Sequence, residues 1–288
     1  MKSKYKVLFF GSSLFSSIIE EGLNDYVDIL YSVIKSEKVL LYKESKKLKI
    51  PTILYENVDK VISESDFCVV ASFGNIIPKN LLDKSIFLNI HPSLLPLYRG
   101  ATPIQSVILN GDKYTGVSII KMNENMDEGD VYLQKKIELK GNETYNYLEK
   151  TLAQKSVSMI FDVISNYESI IPIKQDSSKS TYCNKKNFLR ENVKINWDEN
   201  SLNIIRLIKA ASPAWCYFNN KIINIKDAEL TDIKSQKSGE IFLQSKDLLI
   251  AGADFYIKIN DIQKEGGVYM NGREFKNGIS NRQILHFN

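Results

Sequence analysis

Phe87-Leu88-Asn89-Ile90-His91-Pro92-Ser93-Leu94-Leu95-Pro96-Leu97-Tyr98-Arg99-Gly100 changes character half-way along. The chain leading into and through its first part, Ser85 to Ile90, is mostly apolar, with the β-branched and aromatic residues of a buried strand. It then breaks at Pro92 and Pro96 into a loop that ends on Gly100. Asn89 and His91 are one residue apart, so in an extended strand their side chains share a face. The C-terminal end of a strand in an open α/β sheet is where ligands and reacting groups gather. The chain has only two histidines, His91 and His286. A lone histidine is more often structural than reactive, but here an amide on the same face and a Pro-Gly loop accompany it.

The residues before this stretch alternate between strand and helix patterns. Residues 5–11 read as a first buried strand, Leu14 to Leu23 as an amphipathic helix after the Gly11-Ser12-Ser13 turn, and Val27 to Ile34 as a second strand. A lysine-rich helix across Lys43–Leu48, a short strand Thr52–Tyr55 and another strand Asp66–Ser72 follow. That alternation predicts βαβ units and a parallel sheet. Gly11 stands without the further glycines of a dinucleotide-binding turn, and neither a P-loop nor a nucleophile-elbow serine is present.

Beyond Gly100 the pattern predicts a helix from Thr102 to Asn110, a strand from Gly116 to Met122, a turn over Asn123–Asp130, a strand Val131–Gln134 and a long helix Tyr145–Ile164. Residues 174–187 are polar and turn-prone, the expected linker. Past it, a helix is predicted from Asn200 to Ala211, capped by Asn200 or Ser201. Short strands follow at Lys221–Ile225, Gly239–Leu243, Leu248–Ala251 and Phe255–Ile259, a pattern that suits a small β-barrel. The expected organisation is a catalytic domain over 1–173, the linker 174–187 and a C-terminal domain over 188–288.

Composition narrows the class. With 43% hydrophobic and 25% charged residues among 288, the chain has enough apolar surface for a core and reads as globular and cytoplasmic. No apolar run is long enough to span a bilayer, and the first apolar residues are too few for a signal-peptide core. Cys68, Cys183 and Cys216 are far apart and lack metal-ligand spacing; reduced, buried thiols are expected, and no metal site. A net charge of +4 permits an anionic partner without demanding one.

An Asn, a His and an Asp form a workable set for acyl transfer to an amine. The imidazole moves a proton near neutral pH, and a carboxylate beside it orients it and favours its charged form. The amide donates to the oxyanion of a tetrahedral intermediate, a contribution worth roughly 3–4 kcal/mol. No nucleophilic side chain is needed when the acceptor amine itself attacks. Asp127 is the candidate carboxylate. An acidic residue before a Glu-Gly turn is also ordinary turn chemistry, and spacing alone does not bring it to His91.

Three motifs in order, Asn89 to Gly100, Thr115-Gly116-Val117-Ser118-Ile119 and Met126-Asp127-Glu128-Gly129-Asp130, resemble the folate-dependent formyltransferase family. The resemblance implies formyl transfer from 10-formyltetrahydrofolate, as co-substrate, to a primary amine, with Asn89, His91 and Asp127 as the catalytic set. It implies a folate site lined by Phe73, Gly74 and Asn75, by Ser93, Leu94, Leu95 and Pro96, and by Asn123, Glu124, Asn125 and Met126. Lys194–Asp198, Ile205–Ala210 and Gly266–Phe275 resemble the C-terminal domain found in methionyl-tRNA formyltransferases and in some nucleotide-sugar formyltransferases. The fold it implies is α/β: a Rossmann-like, mostly parallel N-terminal domain plus a small OB-like β-barrel.

The acceptor divides the family. The tRNA enzymes typically carry a basic, Gly- and Pro-rich insertion after the second strand, whereas here Val33 to Leu41 runs almost directly into the next helix. Losing phosphate contacts weakens a nucleic-acid reading, and this favours a nucleotide-linked amino-deoxysugar. Gly11-Ser12-Ser13-Leu14-Phe15 resembles the opening of the tRNA enzymes, and Ala101 stands where some sugar enzymes have an arginine, so methionyl-initiator tRNA is the alternative. A catalytically idle binding protein on the same fold is the third reading, against which intact Asn89, His91 and Asp127 argue.

Overall fold

The structure is a computed structural model that describes residues 5–279 and 286–287. Two compact units emerge. One runs to Pro103 and takes in Lys113–Leu139 and Tyr147–Cys183; the other comprises Ile104–Asp112, Lys140–Asn146 and the chain from Asn184.

The first unit is built on β1 (Lys6–Gly11), β2 (Asp28–Ile34), β3 (Thr52–Leu54), β4 (Phe67–Ala71), β5 (Ile86–His91), β6 (Arg99–Gly100), β7 (Tyr114–Lys121), β8 (Val131–Glu138) and β9 (Tyr182–Cys183). The main sheet has the order β3-β2-β1-β4-β5-β7-β8. Its first five strands are parallel, and β7 and β8 join antiparallel. Helices α1 (Leu14–Leu23), α2 (Leu40–Lys47) and α3 (Lys79–Leu82) supply crossovers between the parallel strands. The order reverses beside β1, so a crevice is expected at the C-terminal strand ends.

Strand periodicity distributes the core. Leu8 and Phe10 of β1 pack with Val33, Val70, Phe73 and Phe87, while Val7 and Phe9 point to the other face, equally buried. Helix α5 (Tyr145–Ser165), which follows α4 (Pro103–Asn110), lies close to α1: a Cβ added to Gly22 would sit 2.7 Å from a Val157 methyl.

The second unit carries α6 (Ser201–Ala211), β10 (Ala214–Phe218), β11 (Lys221–Lys234), β12 (Leu249–Ala251), β13 (Phe255–Lys264), β14 (Tyr269–Asn271) and α7 (Gly272–Asn277). Asn200 caps α6, its side-chain oxygen accepting from the Leu202 N–H at 3.0 Å. The strands form an antiparallel sheet around a core that includes Trp197, Ile208, Cys216, Ile225, Ile257, Phe275 and Phe287. β11 runs nine residues beyond the expected Ile225, because register shifts between Ile225 and Ala228 absorb the break in its pattern and pairing with β13 resumes. Gly239–Leu243, expected as a strand, makes only isolated bridges; Gly239 has φ +78°, which takes its backbone out of the strand region. No helix among the described residues is long and apolar enough to cross a membrane.

Candidate active site

β5 ends at the C-terminal edge of the parallel strands, where the crevice is expected, and delivers both polar groups of the opening stretch there. His91 is buried and Asn89 partly so. The Pro92–Tyr98 loop folds back until the carbonyl of Tyr98 lies 2.9 Å from His91 Nε2. A carbonyl only accepts, so Nε2 carries the hydrogen, and in the neutral ring Nδ1 holds the lone pair. Nδ1 faces Asp127 Oδ1 at 3.6 Å. The same Oδ1 accepts from the Asn89 amide at 3.1 Å. Asp127 Oδ2 accepts from the Gly100 N–H at 2.8 Å. The amide, the imidazole and the carboxylate therefore converge, although 38 residues separate Asn89 from Asp127. At 3.6 Å the ring and the carboxylate are not directly hydrogen-bonded; a charged ring there is held by electrostatic attraction, and an N–H group between them has two acceptors.

Asp127 has a φ of +56°, a left-handed conformation that costs a residue with a Cβ and persists only when neighbours hold it. Its carbonyl and that of Gly129 each accept from Gln175 Nε2 at 2.8 Å. Gln175 Oε1 accepts from Arg99 Nε at 3.1 Å and Nη2 at 2.9 Å. Arg99 Nη1 donates to Glu128 Oε1 at 2.8 Å and to the Tyr182 hydroxyl at 3.3 Å. Arg99, only 1% exposed, is thus a buried cation with its partners in place. The stretch expected to link the domains is threaded into this site, since β9 pairs in parallel with β6 and Gln175 precedes it. Sequence reasoning gave neither Arg99 nor Gln175 a role. An arginine directly after the apolar run Leu94–Tyr98 was the available signal; Gln175 offered none.

The residues that the resemblance assigns to a folate site fall into three groups. Ser93 to Pro96 follow His91 after Pro92. Ser118 Oγ donates to the Ser93 carbonyl at 2.6 Å and accepts from the Leu95 N–H at 3.1 Å. Gln134 donates to the Leu95 carbonyl at 2.9 Å. Leu94 packs over Gly116, where an added Cβ would meet a Leu94 methyl at 2.5 Å. Phe73 to Asn75 leave the sheet at the same end, because β4 and β5 are parallel with Val70 opposite Asn89. The Phe73 ring, however, lies in the core, 5.4 Å from Phe10 and 5.1 Å from Tyr55 between centroids; Gly74, with φ +71°, and Asn75 are exposed. Asn123 to Met126 lead into Asp127 and are exposed, with the Asn123 side chain accepting from the Asn125 N–H at 3.0 Å. Among the described residues, no three His, Cys, Asp or Glu side chains gather as metal ligands.

Residues 30–164 match the formyl transferase family, and residues 189–280 match the formyl transferase C-terminal domain. The methionyl-tRNA formyltransferase of Malacoplasma penetrans is 34% identical over 89% of this chain and 82% of its own length. That of Protochlamydia amoebophila is 30% identical over 98% and 97%. Among solved structures, HypX from Aquifex aeolicus in complex with tetrahydrofolic acid superposes with a TM-score of 0.69 at 16% identity; the match covers 99% of this chain and 50% of HypX. An N-formyltransferase from Helicobacter canadensis in complex with folinic acid and dTDP-3-aminofucose gives 0.66 at 20% identity, over 91% of this chain and 100% of that one. At such identities the structures speak to fold alone. The two sequence relatives, aligned over most of their own lengths, go further: this chain is an enzyme of the folate-dependent formyltransferase family.

Proposed function

We propose that this enzyme transfers the formyl group of 10-formyltetrahydrofolate to the amino group of methionyl-initiator tRNA. The observation that carries the acceptor is the identity of at least 30%, over most of both chains, with proteins of that activity. It outweighs the short connection between β2 and α2, which had favoured an amino sugar, because the sugar enzymes resemble this chain only at about one residue in five.

In this reading the amine enters beside His91 Nδ1 and attacks the formyl carbon. A C–N bond forms, and the carbonyl oxygen becomes an oxyanion that Asn89 stabilises with an amide N–H. His91 Nδ1 takes the proton that the amine sheds, and the resulting imidazolium is held by the Asp127 carboxylate. Collapse breaks the bond between the formyl carbon and N10 of the folate, and the proton passes from His91 to N10. The formyl donor lies along Ser93–Pro96, Gly74–Asn75 and Asn123–Met126, with Phe73 acting through the backbone it anchors. The same reading assigns formyl transfer to a domain over 1–173 and makes the C-terminal domain, over 188–288, an OB-like barrel. The register shifts along β11 support that barrel, since bulges curl a strand.

The test is an acceptor screen with 10-formyltetrahydrofolate labelled in the formyl group. Methionyl-initiator tRNA and dTDP-linked amino sugars are offered in parallel at several salt concentrations. Label is expected in the tRNA product, with a KM for tRNA that rises steeply with salt. Label in an amino sugar and none in tRNA overturns the acceptor and leaves formyl transfer standing.

A further inference from the structure

We propose that Gln175 is the positioning residue that holds the Asp127 carboxylate between Asn89 and His91. The inference rests on reading Asp127 as the partner of His91 in formyl transfer, and adds a residue to it.

The chemistry of an amide dictates the arrangement. One end of a glutamine side chain only accepts and the other only donates. Arg99 offers only donors, at 3.1 Å from Nε and 2.9 Å from Nη2, so the Gln175 oxygen must face it. The two hydrogens of Nε2 are thereby turned on the carbonyls of Asp127 and Gly129, both at 2.8 Å. Those carbonyls follow directly on the left-handed step, φ +56°, that aims the Asp127 side chain. Arg99 also reaches Glu128, the residue between them, at 2.8 Å. The turn is therefore gripped at three successive residues by one guanidinium and one amide. Asp127 touches nothing else that fixes its backbone among the contacts described for it; Gly100 and Asn89 hold only its carboxylate.

Gln175→Glu separates positioning from bulk. It keeps length and shape and strengthens the pairing with Arg99, but turns a carboxylate oxygen on two carbonyl oxygens. Folding is expected to be retained, which circular dichroism checks. A displacement of about 1 Å in a reacting constellation costs about a hundredfold, so kcat for the acceptor used by the wild type is expected to fall by about ten- to a hundredfold. KM for donor and acceptor is expected to stay within about threefold, since Gln175 is outside the residues proposed to line the donor site and acts through Asp127. A kcat within about twofold of the wild type in the folded variant overturns the proposal.

A second readout does not depend on turnover. With only two histidines, the ring nitrogens of 15N-histidine-labelled protein are assignable. The variant is expected to move the His91 Nδ1 resonance, which reports the nearby carboxylate, and to leave that of His286 unchanged. An unmoved His91 signal overturns the positioning role. If the wild type transfers formyl to no acceptor offered, the functional reading fails by that result alone, and the ring signal still decides for or against Gln175.

Discussion

His91 Nε2 donates to the carbonyl of Tyr98 at 2.9 Å, and this one bond decides which nitrogen of the ring is basic. Were the carbonyl turned away, either tautomer would be available, and the lone pair would face Asp127 only part of the time. Instead Nδ1 is left to exchange the proton, beside Asp127 Oδ1. His91→Ala removes that base while leaving the backbone pairing of β5 in place, so the variant is expected to fold while kcat falls by about 10²- to 10⁴-fold. Steady-state formyl transfer at saturating donor and acceptor measures it, and turnover within tenfold of the wild type removes His91 from the chemistry.

Asp127 carries a charge and an unusual backbone, and two substitutions tell them apart. Asn tolerates left-handed φ, whereas Ala there is strained. Asp127→Asn is therefore expected to keep the stability of the wild type within about 1 kcal/mol, while Asp127→Ala loses about 1–2 kcal/mol more. Both lose the charge that holds an imidazolium, so both are expected to lower kcat by about a hundredfold or more. Urea midpoints and kcat, measured on the same preparations, check the two halves independently.

The legible part of this site is the part that depends on neighbours in sequence. A period of two puts Asn89 and His91 on one face whatever the rest of the chain does, and alternating strands and helices imply the parallel half of the sheet. What the pattern does not carry is long-range. Asp127 reaches Asn89 across a turn whose left-handed step is held by Gln175, 48 residues further on. Gln175 lies in a polar stretch that looks like solvent-exposed linker, because a residue type does not disclose that its amide is matched by a buried guanidinium. Phe73 shows the other limit: resemblance assigns it to the folate site with Gly74 and Asn75, and only the structure shows that its ring packs in the core with Phe10 and Phe87. The left-handed glycine at position 239 likewise hides in an apolar run that imitates a strand.

Gly100 is needed for two reasons at one position. Its φ is +113°, and a Cβ added there would lie 2.3 Å from the Cys183 carbonyl oxygen of the adjoining β9 strand. Its N–H meanwhile donates to Asp127 Oδ2 at 2.8 Å. Gly100→Ala must part β6 from β9 and pull that donor from the carboxylate. The expected result is a loss of about 2 kcal/mol or more in stability, from strain and lost pairing, together with at least about a tenfold fall in kcat. Thermal unfolding and turnover measured side by side check this; an Ala variant as stable and active as the wild type shows that β6 and β9 yield freely.

Glu20 of α1 is fully buried against Ser32 and Ser45. Burial pushes its carboxyl up from 4.5 to about 7, against the pull of the two serine hydroxyls. The hydrogen-bond count agrees. Ser45 Oγ has one proton and two acceptors in reach, the Leu41 carbonyl and Glu20 Oε2, both at 2.7 Å; a proton on Oε2 donating to Ser45 satisfies all three groups. Between the unfolded value of 4.5 and the folded value of about 7, the folded chain binds this proton more tightly than the unfolded one. The contribution to stability is therefore complete below pH 4.5, falls as pH rises, and is gone above about 7. Glu20→Gln places an N–H where the acid's O–H stood and does not titrate. It is expected to match the wild type near pH 4.5 and to exceed it at pH 8, by up to about 3 kcal/mol. Urea unfolding from pH 4.5 to 8 follows the gap, and equal slopes for the two proteins would mean that Glu20 is already ionised in the folded chain.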